Sequence, residues 1–437
     1  MRVRLHTLGC RLNEAELEAW ARQFRQRGCT IAHDAEPADL VVINTCAVTG
    51  EAVRKSRKLL RRAQRDNPRA RLVVSGCAAS LDGGELGDAG IDLLVDNADK
   101  DLLVDIASAE LALPLMPAAA TDPAADALFA RGRQRAFVKI QDGCRYQCTF
   151  CVTTLARGDE RSRPAADICS EINQLANAGI QEIVLAGVHA GGYGSDLGDS
   201  LQGLLRRVLT ETEIPRIRLG SVEPWDLPAD FWRLFDNPRL MPHLHLPLQS
   251  GADSVLRRMA RRCKSGEFAR LVETARSAVP DLNVTTDIIV GFPGESDGEW
   301  RQTMDFVVEI GFGHLHIFAY SPRSGTRAAT MPDQVPEAVK RARSRELHAL
   351  GIRLKQALLA RNVGRSVRLL MEGVGCDDAG EFHACYTPNY LPVRLRNANT
   401  TGLDRMLSAR LTGITDDGEA LNAAPVTRHR SAGTDPQ

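Results

Sequence analysis

The sequence predicts an α/β chain of three units: a parallel α/β sheet, a partial barrel of six β/α repeats, and a small antiparallel β-barrel. Three observations carry that expectation. Strand-like and helix-like segments alternate from residue 3 to about 110, and again from 137 to about 359. After residue 363 the pattern changes to short alternating strands. At 437 residues the chain also exceeds what one hydrophobic core usually serves.

In the first unit (1–112), β-rich runs at 3–8, 40–44, 72–75 and 91–95 are separated by helical stretches, notably 14–26 and 50–65. That order suggests a parallel sheet covered by helices. An Ala/Pro-rich stretch marks a linker over 113–129. The second unit (130–362) has six strand candidates, at 137–141, 183–186, 216–219, 244–248, 284–290 and 315–320. Helices such as 166–178, 251–260, 268–278 and 297–310 separate them, and a long helix at 337–360 closes the unit. In the third unit (363–425), pieces at 366–371, 382–386 and 392–396 suggest the antiparallel barrel, and the polar tail 426–437 is expected to be disordered.

The apolar fraction of 43% and charged fraction of 25% are those of an ordinary soluble protein. Lysine plus arginine equals aspartate plus glutamate at 55 each, so any nucleic-acid contact must rest on local patches. No apolar run nears the roughly 20 residues that span a bilayer. Met1-Arg2-Val3-Arg4-Leu5 leads straight into a strand rather than a signal peptide. A cytoplasmic protein without membrane contact is expected, in a compartment where thiols stay reduced. Eleven cysteines there point to metal or catalysis rather than disulfides.

Gly143-Cys144-Arg145-Tyr146-Gln147-Cys148-Thr149-Phe150-Cys151 spaces three cysteines as C-x3-C-x2-C. Three thiolates on one loop can hold three irons of a cubane cluster and leave the fourth open to a ligand, whereas ferredoxin-type carriers supply four cysteines. The loop follows the first barrel strand, at the carboxyl end where barrel active sites are built. Structural zinc would want four ligands, and no histidine lies nearby. Cys10, Cys46 and Cys77 are far apart, yet each directly follows a predicted strand. In a parallel sheet those strand ends share one edge, where ligands usually bind. Gly9 and Gly76 would let the backbone approach a bulky group. On this pattern alone, a second cluster and ordinary buried cysteines are both open. Cys29, Cys169, Cys263, Cys376 and Cys385 share no geometry and receive no role.

Polar residues recur at the other strand ends: Gly187 and His189, Glu223, the run Gln249-Ser250-Gly251, then Asp287 and Gly291. Such a set suits a nucleoside-like ligand. His243 and His245 flank the fourth strand, where a satisfied core histidine is an equal reading. The densest basic run holds Arg54, Lys55, Arg57, Lys58, Arg61, Arg62, Arg65, Arg69 and Arg71. Arg131, Arg133 and Arg135 form a second group, and Arg257, Arg258, Arg261, Arg262 and Lys264 a third. Phosphate contact and solvated helix faces are both open for them. In the third unit, RNA contact would lean on shape and on Tyr386 or Tyr390.

The two cysteine sets and the terminal barrel resemble the radical S-adenosylmethionine (SAM) methylthiotransferases over nearly the whole chain, to about residue 424. Thr7-Leu8-Gly9-Cys10-Arg11-Leu12-Asn13 is similar to the MtaB-type tRNA enzymes. So are Gly187-Val188-His189-Ala190-Gly191-Gly192-Tyr193-Gly194 and His243-Leu244-His245-Leu246-Pro247-Leu248-Gln249-Ser250-Gly251. Neither the Tyr-Gly-Cys-Gln-Met-Asn start of the isopentenyl-adenosine subgroup nor the Gly-Cys-Pro-Lys-Asn of the ribosomal-protein subgroup fits.

The resemblance implies a methylthiotransferase domain, a radical SAM barrel and a C-terminal TRAM domain. It implies SAM and two 4Fe–4S clusters, one on Cys10, Cys46 and Cys77 and one on Cys144, Cys148 and Cys151. SAM would chelate the open iron of the second of these, with Phe150 beside its adenine and contacts from Gly187, Gln249, Ser250 and Gly291. His189, Glu223, Gly251 and Asp287 complete the expected cofactor contacts, and Arg157 and Arg163 would meet SAM or phosphate. The implied reaction is methylthiolation at C2 of N6-threonylcarbamoyladenosine beside the anticodon of tRNA. It would need a sulfur source and an electron donor of flavodoxin or ferredoxin type. Rival readings are the same chemistry on isopentenyl-adenosine or a protein aspartate, and a non-catalytic iron–sulfur RNA-binding protein. Thr154 stands where the family commonly has proline, three residues after Cys151, which puts the rigidity of that loop in question.

Overall fold

The computed structural model describes residues 1–33, 36–81, 86, 90–114, 134–396 and 405–426. The expected linker beyond residue 114, the expected tail beyond Val426, and Arg131 and Arg133 lie outside the described residues.

Near-continuous apolar runs at 40–43 and 72–74 make the centre of the first sheet, as expected where helices cover both faces. β1 (Arg2–Thr7), β2 (Thr30–Ile31), β3 (Leu40–Thr45), β4 (Arg71–Gly76) and β5 (Leu93–Val95) lie in the order β2-β1-β3-β4-β5, all pairs parallel. Successive side chains of β3 point to opposite faces. Helix α1 (Arg11–Gln26) brings Trp20 and Phe24 to the side of Leu40 and Val42. Helix α2 (Gly50–Asp66) brings Val53, Leu60 and Ala63 to the side of Val41 and Ile43. Strand order reverses between β1 and β3, so a crevice opens at their carboxyl ends.

Six further parallel strands follow in chain order. β6 (Arg135–Lys139) leads into a short antiparallel pair, β7 (Gln141–Asp142) with β8 (Arg161–Ser162), which brackets the Cys144 loop. β9 (Glu182–Ala186) and β10 (Arg216–Leu219) complete one three-stranded sheet with β6. β11 (His243–His245), β12 (Asn283–Val290) and β13 (His314–Ala319) form another. Parallel bridges at Ile217–Leu240 and Ser221–His245 join the two into a six-stranded arc. The fourth strand is shorter than expected because Pro247 has no N–H, and Thr286 Oγ1 accepts from Leu248 N in place of a ladder bond. The Glu337–Asn362 helix packs across the arc, with Leu347 and Leu350 in the same core as Leu315.

β14 (Ser366–Asp377), β15 (Gly380–Tyr386), β16 (Pro392–Leu395), β17 (Met406–Ile414) and β18 (Leu421–Pro425) close a barrel in the order β14-β15-β16-β18-β17. The expected antiparallel barrel needs one correction: β16 and β18 pair in parallel. A closed ring of five strands cannot alternate direction all the way round, so one pair must run the same way.

The turn after β15 caps the amino end of the arc. Arg218 donates to Pro388 O (3.2 Å) and Asn283 Nδ2 to Asn389 O (2.9 Å). Tyr386 and Tyr390 stack on each other at 4.9 Å, and the Arg135 guanidinium lies 4.9 Å from both rings. These tyrosines therefore face inward rather than offering an exposed stacking surface. Beneath them, buried Glu182 accepts from Arg135 (2.5 Å) and from Arg218 (3.1 Å), with Arg216 at 3.9 Å. Burial alone would raise the Glu182 carboxyl, but Arg218, Arg135 and Arg216 outweigh it and hold the group at about 2. Replacing Glu182 by Gln strips Arg216 and Arg218 of their buried counter-charge, so urea unfolding should show a loss of ~3–5 kcal/mol.

Candidate active site

The three separated cysteines meet because the strand ends are tied together. Asn13 Nδ2 donates to Leu8 O (2.7 Å) after β1 and to Thr45 O (3.1 Å) in β3. Thr45 Oγ1 donates to Ser75 O (2.7 Å) in β4 and accepts from Ala79 N (3.1 Å). Cys10, Cys46 and Cys77 then share the β1–β3 crevice and line one cavity of about 930 Å³. A Cβ on Gly9, at φ +105°, would stand 2.7 Å from Cys46 Sγ; one on Gly76, at φ +103°, would stand 2.3 Å from Thr45 O. Only glycine permits that approach of backbone to thiol. Burial pushes the Cys46 thiol up to about 11.

The Cys144–Cys151 loop is held from several sides. Cys144 N donates to Gly158 O (3.1 Å), Cys151 N to Cys148 O (3.0 Å), and Thr149 N to Met259 O (3.0 Å). Thr154, in the position where proline is common, donates through Oγ1 to Tyr146 O (2.9 Å). A side-chain hydrogen bond thus restrains the loop in place of a pyrrolidine ring. Backbone N–H groups also aim at sulfur: Tyr146 N at Cys144 Sγ and Thr153 N at Cys151 Sγ, both 3.4 Å. Arg261 Nη1 lies 3.8 Å from Cys148 Sγ while its fork holds Glu223 at 3.0 and 2.6 Å. Donors directed at sulfur suit thiolates. As a free thiol, Cys144 is pushed up to about 12 by burial, so cluster binding must release its proton.

His189 stands beside Cys144, with a carboxylate on each ring nitrogen: Glu160 at Nδ1 and Asp226 at Nε2, both 2.5 Å. Burial alone would lower its pKa, but the two carboxylates outweigh burial and raise it. A carboxylate on each ring nitrogen thus favours the protonated ring.

Arg157 connects the two cysteine sets. It ends the short helix after the Cys151 turn, yet its guanidinium enters the other site. Nε donates to Cys77 Sγ (3.3 Å), Nη1 to Glu16 (2.9 Å) and Asp142 (2.8 Å), and Nη2 to Asn13 Oδ1 (2.8 Å). Lys100 and Lys139 complete the buried group, Lys100 at 2.6 Å from Glu16 and Lys139 at 2.9 Å from Asp142. Lys139 also meets the exposed Asp101 (2.8 Å), so three cations (Arg157, Lys100, Lys139) face three carboxylates (Glu16, Asp142, Asp101), and Arg157 is the one that donates to a thiol. Burial would raise the Glu16 carboxyl, but Lys100, Arg157 and Lys139 hold it at about 2.

Of the other expected cofactor contacts, Gly187, His189, Glu223, Gln249 and Asp287 line the same cavity as Cys10, Cys46, Cys77 and Arg157. Phe150, Ser250, Gly251 and Gly291 are not brought to that wall. Phe150 sits edge-on to Phe292 at 6.5 Å. Ser250 is fully buried, sharing a hydrogen bond with Thr303 Oγ1 (3.2 Å). Gly251 packs on Thr303 and Phe306, and Gly291 N donates to Glu295 (2.8 Å) beside Lys340. Arg163 donates to Lys139 O and Glu171, both 2.7 Å. Asn13, Glu16, Asp142, Glu160, Asp226 and Arg261 were not singled out as site residues from the sequence. For Arg261 the basic run masked a buried residue whose carboxylate partner lies 38 positions away.

Residues 2–96 match the model of "Uncharacterized protein family UPF0004" and residues 138–307 that of the Radical SAM superfamily. "Threonylcarbamoyladenosine tRNA methylthiotransferase MtaB" of Bacillus subtilis (strain 168) is 37% identical over 403 residues, 90% of this chain and 89% of that protein. The chain belongs to the MtaB-type family of radical SAM methylthiotransferases. An MtaB of Chlamydia pneumoniae is 35% identical, covering 95% of this chain and 96% of its own length. A "tRNA-2-methylthio-N(6)-dimethylallyladenosine synthase" of Methylacidiphilum infernorum is 34% identical, covering 97% and 99%. Among solved structures, the radical SAM methyltransferase TsrM of Kitasatospora setae shares the fold, with a TM-score of 0.56 at 15% identity over 75% of this chain and 77% of its own. Membership in the MtaB-type family implies SAM and a 4Fe–4S cluster. The Cys144, Cys148, Cys151 donor set, with N–H groups on its sulfurs, fits that cluster. Among the described residues no helix is long and apolar enough to cross a membrane.

Replacing Arg157 by Met should cost ~3–5 kcal/mol at pH 7, since Glu16 and Asp142 lose a buried partner. The folded-state pKa of Glu16 is depressed, so its contribution is present above about 4.5 and lost as pH falls toward 2. The gap between variant and parent in urea unfolding should therefore narrow as pH is lowered through 4.5.

Proposed function

We propose that the chain methylthiolates C2 of N6-threonylcarbamoyladenosine in tRNA. The observation that carries this reading is that Cys10, Cys46 and Cys77 open on the same cavity as the strand-end residues Gly187, His189, Glu223, Gln249 and Asp287. One adenosine in that cavity would lie within reach of Cys10, Cys46 and Cys77, and Arg157, on the segment that follows the Cys144 loop, lines the same wall. The family's MtaB members are named for threonylcarbamoyladenosine. The cavity wall supports it too, since His245, Asp287 and His316 offer polar partners for a hydroxyl and ureido N–H groups.

In this reading Cys144, Cys148 and Cys151 hold one 4Fe–4S cluster and Cys10, Cys46 and Cys77 a second. When bound, the first cluster with SAM supplies one-electron cleavage and hydrogen abstraction, and the second supplies the sulfur. The chain's own residues orient and shield. Arg261 and Glu223 fix the Cys148 side of the loop, Glu160 and Asp226 fix His189, and Arg157 neutralises thiolate charge at Cys77. Phe150, Ser250, Gly251 and Gly291 stiffen the wall behind the cavity. Units 1–112, 130–362 and 363–425 are the proposed domains, the last a TRAM domain. An electron donor of flavodoxin or ferredoxin type and a sulfur source complete a cytoplasmic reaction.

The test is anaerobic reconstitution of the full chain with iron, sulfide, SAM, a reductant and tRNA bearing threonylcarbamoyladenosine, followed by nucleoside mass spectrometry. The expected product is the 2-methylthio nucleoside, together with 5′-deoxyadenosine. Product only on tRNA bearing dimethylallyladenosine would replace the substrate, and none on either tRNA would overturn the reading.

A further inference from the structure

The surface of α2 carries an unbalanced charge. Within Gly50–Asp66 there are seven basic residues and two acids. The helix buries Val53, Ser56, Leu60 and Ala63 against the sheet and exposes Arg54, Lys55, Lys58, Arg61, Arg62 and Arg65. Lys55 pairs with Glu51 (2.8 Å) and Arg62 with Asp66 (3.2 Å). Arg54, Lys58 and Arg61 make no ion pair among the described residues. Positions 54, 58, 61 and 65 are spaced four, three and four residues apart, so they form one line along the helix. Exposed Arg69 extends the basic surface beyond its end, while Arg71 there pairs with Asp92 (3.3 Å).

Helix stability does not account for this row. Arg54 with Lys58, Lys58 with Arg62, and Arg61 with Arg65 are like-charge pairs at i,i+4, which oppose helix formation. Arg54 and Lys55 also lie near the positive end of the helix dipole. The chain as a whole is neutral, so the row is a local concentration rather than a general basic character.

The position of the helix gives the row a direction. Cys46 and Val48, just before α2, line the cavity. Thr49 caps the helix by accepting from Ala52 N (3.1 Å), and Gly50 N donates to Ser321 Oγ (3.3 Å) beyond the carboxyl end of β13. The charged line therefore begins at the cavity mouth and runs outward along the 17 residues of α2, roughly 25 Å.

We propose that this face of α2 binds the phosphate backbone of the RNA whose adenosine enters the cavity. The inference rests on the proposed RNA substrate, but it assigns a surface that the chemistry does not require. Guanidinium and ammonium groups without local counter-ions gain most from a polyanion, and each neutralised phosphate makes binding salt-dependent.

The test uses the reconstituted full chain and substrate tRNA, with fluorescence anisotropy at several salt concentrations. The Arg54→Gln/Lys58→Gln/Arg61→Gln variant removes three charges along with like-charge repulsion, so it should fold. Its affinity should fall at least tenfold, and the slope of log affinity against log salt should shrink by about 2–3. Arg54→Glu/Lys58→Glu/Arg61→Glu should weaken binding further, while 5′-deoxyadenosine formation without RNA stays unchanged in both. Unaltered affinity and slope would overturn the proposal even if the methylthiolated nucleoside still forms. Lost binding to phosphatidylglycerol vesicles with intact tRNA binding would also overturn it. Weakened, less salt-dependent tRNA binding without any methylthio product would uphold the surface and remove the proposed reaction.

Discussion

The guanidinium of Arg157 is the contact on which the site's geometry depends. It belongs to the chain segment that carries Cys144, Cys148 and Cys151, yet its hydrogen bonds reach Cys77, Asn13 and Glu16 of the first sheet and Asp142 at the start of the loop. One buried side chain thereby fixes two cysteine sets that come from different sheets. A buried cation tolerates this position only when paired, and Glu16 and Asp142 provide the pairing. Lys100 and Lys139 pair with the same carboxylates, and the Arg157 Nε–H stays directed at the Cys77 sulfur.

The same arrangement places one cavity between two carboxyl edges. The switch point between β1 and β3 opens a crevice at the carboxyl edge of one parallel sheet, and the six-stranded arc offers its own carboxyl edge. At the opposite end of the arc, Glu182 collects Arg135, Arg216 and Arg218, with Tyr386 and Tyr390 on Arg135 and Tyr390 on Arg218. The C-terminal barrel thus closes the amino end, and the cavity opens at the carboxyl edges, beside Cys10, Cys46 and Cys77.

Local patterns were legible and distant partnerships were not. C-x3-C-x2-C and the three strand-end cysteines could be read because strand periodicity and spacing are local. The six strands of the arc followed from the same periodicity, with the fourth cut short by Pro247. Arg157 could be noticed but not placed, since Glu16 lies 141 residues away and nothing near position 157 signals it. Ser250, Gly251 and Gly291 sit at strand ends as expected, but packing against Thr303, Phe306 and Lys340 turns them from wall into support. The parallel β16–β18 pair follows from strand count in a closed ring, which no single segment contains.

That the two cysteine sets perform separate tasks is tested most directly by the Cys10→Ala/Cys46→Ala/Cys77→Ala variant, reconstituted anaerobically and supplied with SAM, reductant and substrate tRNA. Iron content should fall by half against the parent, 5′-deoxyadenosine should still form, and the methylthiolated nucleoside should be absent. Full iron content with undiminished methylthiolation would contradict the two-site arrangement.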